Sequence, residues 1–303
     1  MSALSSLPRR LTSLLSAIDQ AAGPVCVIVD DDAQIDLVTR ACRAAGIPLS
    51  PPSRTASREV ESGATRGYVT GPEDQAAPGV TAIRLADVPV AAPNPVLEAR
   101  IKAALDEHWR AGVDLPALGT WPSGARLPAA SRLLPGKALA DRRDLGLGED
   151  VAAAIDGPDG PFAPVLRRPC AEVLGGWQQL RGRTAISAVV ASGLPGMPVL
   201  SAHLAVGAAA LLNARYAGEL TGNEPPSGCE DPQDRVSRLA SQLRLDPARV
   251  DVSQIAGQHV LLVGASWTQG WTMTVSGQLL LSAGAQSVRP FTLSSDIRQA
   301  RRR

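Results

Sequence analysis

The segment VLLVGASWTQGWTMT, residues 260–274, combines the residue types and the spacing of an anion-binding loop. The aliphatic run 259–264 predicts a strand buried on both faces, and the residues from 273 onward predict a helix. Backbone amides at a helix N-terminus attract anions, and threonine hydroxyls add further donors. The residues expected to form a phosphate or sulfate site lie between this strand and this helix: Thr268, Gly270, Trp271, Thr272 and Thr274. The site should be weak, because the loop contains no lysine or arginine.

The same loop also has a purely structural interpretation. Thr272 would then cap the helix, and Trp271 would fill the space beside the loop, so that no cavity remains. The sequence leaves both interpretations open.

This segment resembles the phosphoribosyl-pyrophosphate fingerprint of type I phosphoribosyltransferases, an aliphatic run followed by two acids and a Thr-Gly-Thr loop. In that family the acids accept hydrogen bonds from the ribose hydroxyls, while the loop holds the 5′-phosphate. Here Gly264 and Ala265 occupy the acidic positions. Each lost charge-assisted hydrogen bond is worth roughly 1.5 to 3 kcal/mol, so binding should weaken by about two or more orders of magnitude. The resemblance therefore implies a vestigial pocket without catalytic residues.

The loop that grips pyrophosphate in such enzymes corresponds here to residues 192–198, after a predicted strand at 184–192. Ser192, Gly193 and Gly196 are the equivalent positions, and the glycines would allow close approach of the backbone. This loop has no lysine or arginine, which is a second departure from the family. We therefore expect no cofactor. Mg²⁺ and phosphoribosyl pyrophosphate are expected only if the protein is an active transferase.

Three carboxylates, Asp30, Asp31 and Asp32, follow another predicted strand at 25–30. Carboxylates at the end of a parallel strand can hold a divalent cation or a ligand. Asp31 or Asp32 is also well placed to cap the next helix and to complement its dipole, which is the interpretation we favour. No G-x-x-x-x-G-K-[ST] loop occurs anywhere in the chain, so the sequence does not encode a nucleotide-driven motor.

The predicted elements divide the chain of 303 residues into four parts. Residues 1–95 form a small α/β region, and residues 96–160 form a helix and a Pro/Gly-rich connecting segment. Residues 161–296 form the third part, and from residue 184 they read strand, helix, helix, strand, helix, strand, which predicts a parallel sheet with helices on both faces. Residues 297–303 are a basic tail, expected to be solvated. We therefore predict an α/β fold, and the fingerprint implies the phosphoribosyltransferase-like, type I variant.

Composition limits the remaining classes of function. A formal net charge of +1 means that binding to nucleic acid would need a local basic patch. The scattered cysteines and the three histidines favour neither a disulfide framework nor a zinc site, so no metal is predicted. No long apolar run occurs at the N-terminus or elsewhere, which predicts a cytoplasmic protein without a membrane partner.

A second resemblance covers residues from about 98 to the C-terminus. The order of GVDLPALGTWPSG, GKALADRRDLGLG, DRVSRLASQ and the fingerprint segment is similar to the C-terminal region of actinobacterial RecQ-family DNA helicases. That resemblance implies an auxiliary role in DNA repair or recombination, with DNA and a helicase motor supplied in trans as partners. It also implies that residues 1–95 are a degenerate helicase lobe. The motor motifs and zinc-binding cysteines of such helicases are missing from the sequence.

Three hypotheses follow. The first is a non-catalytic, helicase-associated protein with a degenerate phosphoribosyltransferase fold. The second is an active phosphoribosyltransferase of nucleotide metabolism, or a protein similar to the ComF type of DNA uptake, which the residues Gly264 and Ala265 disfavour. The third is a structural remnant without a ligand.

Overall fold

The computed structural model describes residues 3–32, 34–47, 49–50, 67–72, 76, 79–89, 94–180, 182–192, 197–222 and 231–296. The chain divides into two compact units. The first contains the described residues of Met1–Trp109 and Arg143–Asp150, and the second contains those of Arg110–Arg142 and Val151–Ile297.

The first unit is built on a parallel four-stranded sheet with the order β2-β3-β1-β4. Helix α1 packs into its core through Leu7, Leu11, Leu14 and Ile18, which recur at helical spacing and are fully or almost fully buried. Its elements are α1 (Ala3–Gln20), β1 (Val25–Ile28), α2 (Gln34–Ala44), β2 (Leu49–Ser50), β3 (Gly67–Thr70), β4 (Thr81–Arg84) and α3 (Pro95–Arg110), whose last residue, Arg110, already belongs to the second unit.

The later segment Arg143–Asp150 is held to this unit by polar contacts. Gln34 donates from Nε2 to the carbonyl of Arg143 over 3.2 Å. The Nε2 atom of His108 lies 3.2 Å from Oδ2 of the buried Asp144. The Arg10 guanidinium lies 3.1 Å from the Glu149 carboxylate. The first unit therefore uses residues from two separated stretches of the chain.

The second unit is built on a six-stranded sheet with the order β5-β6-β10-β9-β7-β8, in which only the edge strand β5 is antiparallel. The α/β class is thus confirmed, with sheets that are mainly parallel. The elements that complete the chain are β5 (Val113–Leu115), β6 (Gly136–Asp141), α4 (Leu147–Asp156), α5 (Pro164–Gly176), β7 (Ala188–Ala191), α6 (Pro198–Leu212), β8 (Arg215–Glu219), α7 (Pro232–Gln242), β9 (His259–Trp267), α8 (Trp271–Ser282) and β10 (Ser287–Ser295).

Two parts of this sheet differ from the sequence-based expectation. The apolar run 199–216 predicts a single helix, but α6 ends at Leu212, Asn213 is left-handed (φ 52°) and strand β8 follows. The Ala and Leu residues before Asn213 give no sign that the helix ends there. The end depends on Asn213, because asparagine tolerates a left-handed conformation. Strands β5 and β6 lie in the range predicted as a connecting segment. β6 fits beside β10 because Gly136 has no side chain, and a Cβ there would lie 2.3 Å from the Pro290 carbonyl.

The strand order reverses between β7 and β9. The chain leaving β7 returns as β8 on one side, and the chain leaving β9 returns as β10 on the other. Since such crossovers are right-handed, α6 and α8 cover opposite faces of the sheet. A crevice therefore forms at the carboxyl ends of these two strands, where open α/β sheets bind ligands.

Candidate functional site

A cavity of about 360 Å³ lies at this reversal point, within the second unit. Its size falls in the range of small-molecule pockets. It is lined by strand ends, by the loop between β9 and α8, and by neighbouring helices: Ile155, Gly157, Ser192, Met197, Ser201, Arg235, Gly264, Ala265, Ser266, Thr268, Gln269, Gly270, Trp271, Thr272 and Met273. The fold thus brings together the two segments that the sequence singled out.

The loop between β9 and α8 turns at Gly270. This residue is the N-cap of α8 and is left-handed (φ 79°), and a Cβ on it would lie 2.4 Å from Cζ2 of Trp267. No side chain caps the first turn of α8, so its amides are not occupied by a capping oxygen. An uncapped first turn beside a cavity is suited to an anion.

Four of the five predicted loop residues line the cavity: Thr268, Gly270, Trp271 and Thr272. The fifth, Thr274, is 3% exposed and does not line it. Its hydroxyl donates to the Gly270 carbonyl over 2.8 Å, so that this side chain closes the first turn of the helix. The N-cap is Gly270 rather than Thr272, and the cavity beside the loop is open.

The two degenerate acidic positions belong to strand β9, which continues to Trp267 instead of ending at Gly264. Gly264 is buried and Ala265 is partly exposed. A Cβ on Gly264 would lie 3.1 Å from the Met273 sulfur and 3.4 Å from Cβ of Ser192. Met273 is 2% exposed, so its thioether occupies the space that a side chain at position 264 would enter.

Trp271 has a different neighbour. Its ring stacks on Trp121, with ring centroids 6.1 Å apart and an angle of 23° between the planes. Both rings pack against a buried cluster of Leu239, Leu243 and Val275. In one of the two interpretations left open by the sequence, Trp271 fills the space beside the loop. In the structure Met273 is the side chain packed against Gly264, while Trp271 forms one wall of the cavity.

Arg235 brings a positive charge that the loop itself lacks. It lies on α7, whose N-cap Asp231 accepts a hydrogen bond from the Gln233 amide over 2.7 Å, and it lines the cavity. Sequence reasoning missed Arg235 because it lies outside both loops. The only signal was the amphipathic pattern of α7, whose buried side is marked by Leu239.

The cavity lining favours a phosphate group over a sugar or a metal ion. Hydroxyl groups come from Ser192, Ser201, Ser266, Thr268 and Thr272. None of the residues that line the cavity in the described chain is an aspartate or a glutamate. Nowhere in the described residues do three or more His, Cys, Asp or Glu side chains form a group that could hold a metal ion. The described lining residues therefore offer no carboxylate to a Mg²⁺ complex of phosphoribosyl pyrophosphate.

Ser192 is buried at the end of β7 and its amide donates to the Val263 carbonyl over 2.7 Å, whereas Gly193 and Gly196 lie outside the described residues. The Asp31 and Asp32 carbonyls accept from the Gln34 and Ile35 amides in the first turn of α2. The basic tail after residue 296 also lies outside the described residues.

Cys26, Cys42 and Cys170 are buried thiols, and Cys229 is outside the described residues. Burial raises the pKa of the Cys42 thiol to about 12 and raises that of Cys170 further. None of the helices in the described part of the chain has the length and apolar character needed to cross a membrane.

No protein-family model matches the sequence, and no curated protein matches it.

Proposed function

We propose that this protein is non-catalytic and helicase-associated, similar to the C-terminal region of RecQ-family helicases, with an auxiliary role in DNA repair or recombination. Its second unit would be a degenerate type I phosphoribosyltransferase fold that binds a phosphate group of DNA. The protein would act in the cytoplasm, with a helicase motor supplied in trans. The observation that carries the proposal is the cavity lining of amides, hydroxyls and Arg235, without a carboxylate among the described lining residues.

The strand order supports the phosphoribosyltransferase-like assignment. The two loops that would hold pyrophosphate and 5′-phosphate in that family follow β7 and β9, which are adjacent and parallel. Ser192, at the end of β7, and the loop from Thr268 to Thr272 line one cavity. This proximity of Ser192 to the loop after β9 supports a common anion site, which is what the family's chemistry would require.

Phosphate binding here would depend on three kinds of group. The uncapped first turn of α8 offers backbone amides, Thr268 and Thr272 offer hydroxyls, and Arg235 offers a guanidinium. Hydrogen bonds from a charged donor to a phosphate are about twice as strong as neutral ones. The site is therefore stronger than the loop alone would be.

Transfer of a phosphoribosyl group is disfavoured by the same cavity. Gly264 and Ala265 offer no side-chain oxygen to the ribose hydroxyls, and a Cβ at position 264 would lie only 3.1 Å from the Met273 sulfur. A ribose ring would then meet a thioether instead of a carboxylate. The cavity keeps the means to bind an anion but not the means to orient a sugar for reaction.

The test measures the affinity of the full-length protein for one duplex oligonucleotide, with and without a 5′-phosphate, at fixed salt concentration. The phosphorylated duplex should bind more tightly. Arg235→Gln should reduce this preference by roughly 10-fold or more, the value of one charge-assisted hydrogen bond. Arg238→Gln, on the same helix but outside the cavity lining, removes the same charge and is the matched control.

Equal affinity for the two duplexes would refute phosphate recognition by the cavity. Equal losses from Arg235→Gln and Arg238→Gln would show that only overall charge matters. If neither duplex nor inorganic pyrophosphate binds at low salt, the structural-remnant hypothesis gains support instead.

An active phosphoribosyltransferase is the second candidate, favoured only by the position of the cavity at the strand-order reversal. It predicts release of pyrophosphate from phosphoribosyl pyrophosphate and Mg²⁺ when a nucleobase is added. Absence of this release across the common purine and pyrimidine bases would eliminate the second candidate.

A further inference from the structure

A second cavity, of about 580 Å³, lies in the same unit near the amino ends of β6 and β10, at the opposite end of the sheet from the first. Its polar lining includes the cations Arg110, Lys137 and Arg289, the single carboxylate Asp114, and the amides of Gln178 and Gln179. We refer to it as the basic groove. None of these residues lines the first cavity, at the strand-order reversal, which we call the phosphate cavity.

Positive charge is in excess around the basic groove. Lys137 is 2.9 Å from Asp114, which balances it. Arg110 is 3.5 Å from Glu172, but the same carboxylate is 2.8 Å from Arg168 and so is shared by two guanidinium groups. The carboxyl end of α5, at Gly176, adds only a partial negative charge. The described carboxylates therefore do not balance the cations.

Arg289 is the cation of the groove whose charge is least neutralised by neighbouring groups. Its Nη1 donates to the Pro135 carbonyl over 3.1 Å, and among the described residues no carboxylate forms an ion pair with it. Burial lowers the pKa of the Arg289 guanidinium below its ordinary value, because a desolvated charge is destabilised. A guanidinium has five N–H donors, so most of its donors are available to an incoming anion.

The arrangement of the cations suits a chain of phosphates better than a single small anion. Each cation belongs to a different element, since Arg110 ends α3, Lys137 lies in β6 and Arg289 lies in β10. Each side chain is directed to a different protein partner, respectively Glu172, Asp114 and Pro135. A site for one anion needs donors that converge, whereas a polyanion is bound by donors that are spread out.

The groove also indicates which form of nucleic acid would bind. Proteins that hold single strands stack bases on exposed aromatic rings. Trp177 is the one aromatic residue that lines the groove in the described chain, and it is only 4% exposed. Binding would therefore depend on contacts from the cations and the glutamine amides of the groove to backbone phosphates. A duplex presents these phosphates in regular order.

We propose that the basic groove is a non-sequence-specific binding site for the phosphate backbone of duplex DNA, with Arg289 and Arg110 as its principal contacts. The proposal rests on the proposed function only for the choice of DNA. The phosphate cavity takes no part in it. Arg235→Gln tests that cavity and leaves the groove intact, so failure of one proposal is distinguishable from failure of the other.

The experiment measures the affinity of the full-length protein for an unphosphorylated duplex of about 20 base pairs as a function of salt concentration. Each backbone contact contributes roughly 0.9 to the slope of log affinity against log salt. Arg289→Gln and Arg110→Gln should each lower the slope by about that amount and weaken binding by about 5- to 10-fold at low salt. Arg289→Lys keeps the charge and should keep most of the slope.

Arg215→Gln is the matched control. Arg215 is exposed, begins the edge strand β8 of the same sheet and lines neither cavity, so its loss should leave the slope unchanged. A wild-type slope in both Arg289→Gln and Arg110→Gln would overturn the proposal, as would an equal decrease in Arg215→Gln. Tighter binding to a single strand than to the duplex would also overturn it. Because Arg110 is exposed, its variant decides the matter even if Arg289→Gln does not fold.

Discussion

Met273 packs against Gly264 so closely that a Cβ on the glycine would lie 3.1 Å from the methionine sulfur. This contact joins the end of β9 to the first turn of α8. A larger side chain at position 264 would therefore require Met273 to move. Introducing a carboxylate there needs space as well as a change of residue type.

The first prediction concerns restoration of this site. Gly264→Asp with Ala265→Asp should give little affinity for phosphoribosyl pyrophosphate and Mg²⁺, because Met273 obstructs the first carboxylate. Adding Met273→Ala should open the space and yield measurable binding by calorimetry. Met273→Ala alone is the control, and its cavity should cost about 2 to 5 kcal/mol of stability. No gain in the folded triple variant would show that the vestigial-site hypothesis is wrong.

The second prediction concerns the turn before α8. Gly270→Ala should lower the free energy of unfolding by about 2 to 4 kcal/mol, for two reasons. Alanine is strained in the left-handed conformation, and its Cβ would lie 2.4 Å from the Trp267 ring. Gly257→Ala is the matched control, since Gly257 is also left-handed (φ 73°) but has no atom within 4 Å of an added Cβ. It should cost only about 1 kcal/mol. Denaturant unfolding of both variants gives the difference, and equal costs would mean that Trp267 does not restrict the turn.

The third prediction concerns nucleotide hydrolysis. The purified protein should hydrolyse no ATP, with or without DNA, because the sequence has no G-x-x-x-x-G-K-[ST] loop to hold its phosphates. Phosphate release would be followed with a boiled sample as the background. DNA-stimulated hydrolysis above that background would contradict the prediction.

The fourth prediction concerns the thiols. In a Cys229→Ser variant, an aromatic disulfide reagent at pH 8 should label Cys26, Cys42 and Cys170 only after denaturation. All three are buried, and the pKa of Cys42 is raised to about 12, so the reactive thiolate is scarce and inaccessible in the folded protein. Labelling is read from absorbance with time. Rapid reaction of one native thiol would show that its surroundings open readily.

Strand β9 was predicted correctly because its own residues show the pattern of a buried strand. The aliphatic run before Gly264 predicted a buried strand, and the structure places β9 there, extended to Trp267. The site was harder to predict, because two of its key features depend on contacts between distant segments. Nothing in the loop indicates that Arg235 from α7 reaches the cavity, and nothing near Gly264 indicates that Met273 packs against it.

The strands that the sequence missed have the same explanation. β8 follows an apolar helix whose end depends on one left-handed asparagine, Asn213, and its residues show no clear alternation. β5 and β6 are short or rich in glycine and alanine, and they become strands by pairing with each other and with β10. Pairing with distant partners, rather than local propensity, defines these elements.

The division of the first unit between two stretches of chain has a consequence for biosynthesis. A nascent chain emerges from the ribosome in order, and domains commonly fold as they are completed. Here the contacts of Gln34, His108 and Arg10 with residues 143–149 cannot form until β5 and β6 of the second unit have already been made. The first unit therefore stays incomplete while the second begins. Synthesis does not finish one unit before it starts the other, and a ribosome that stalls between residues 110 and 142 carries neither unit complete.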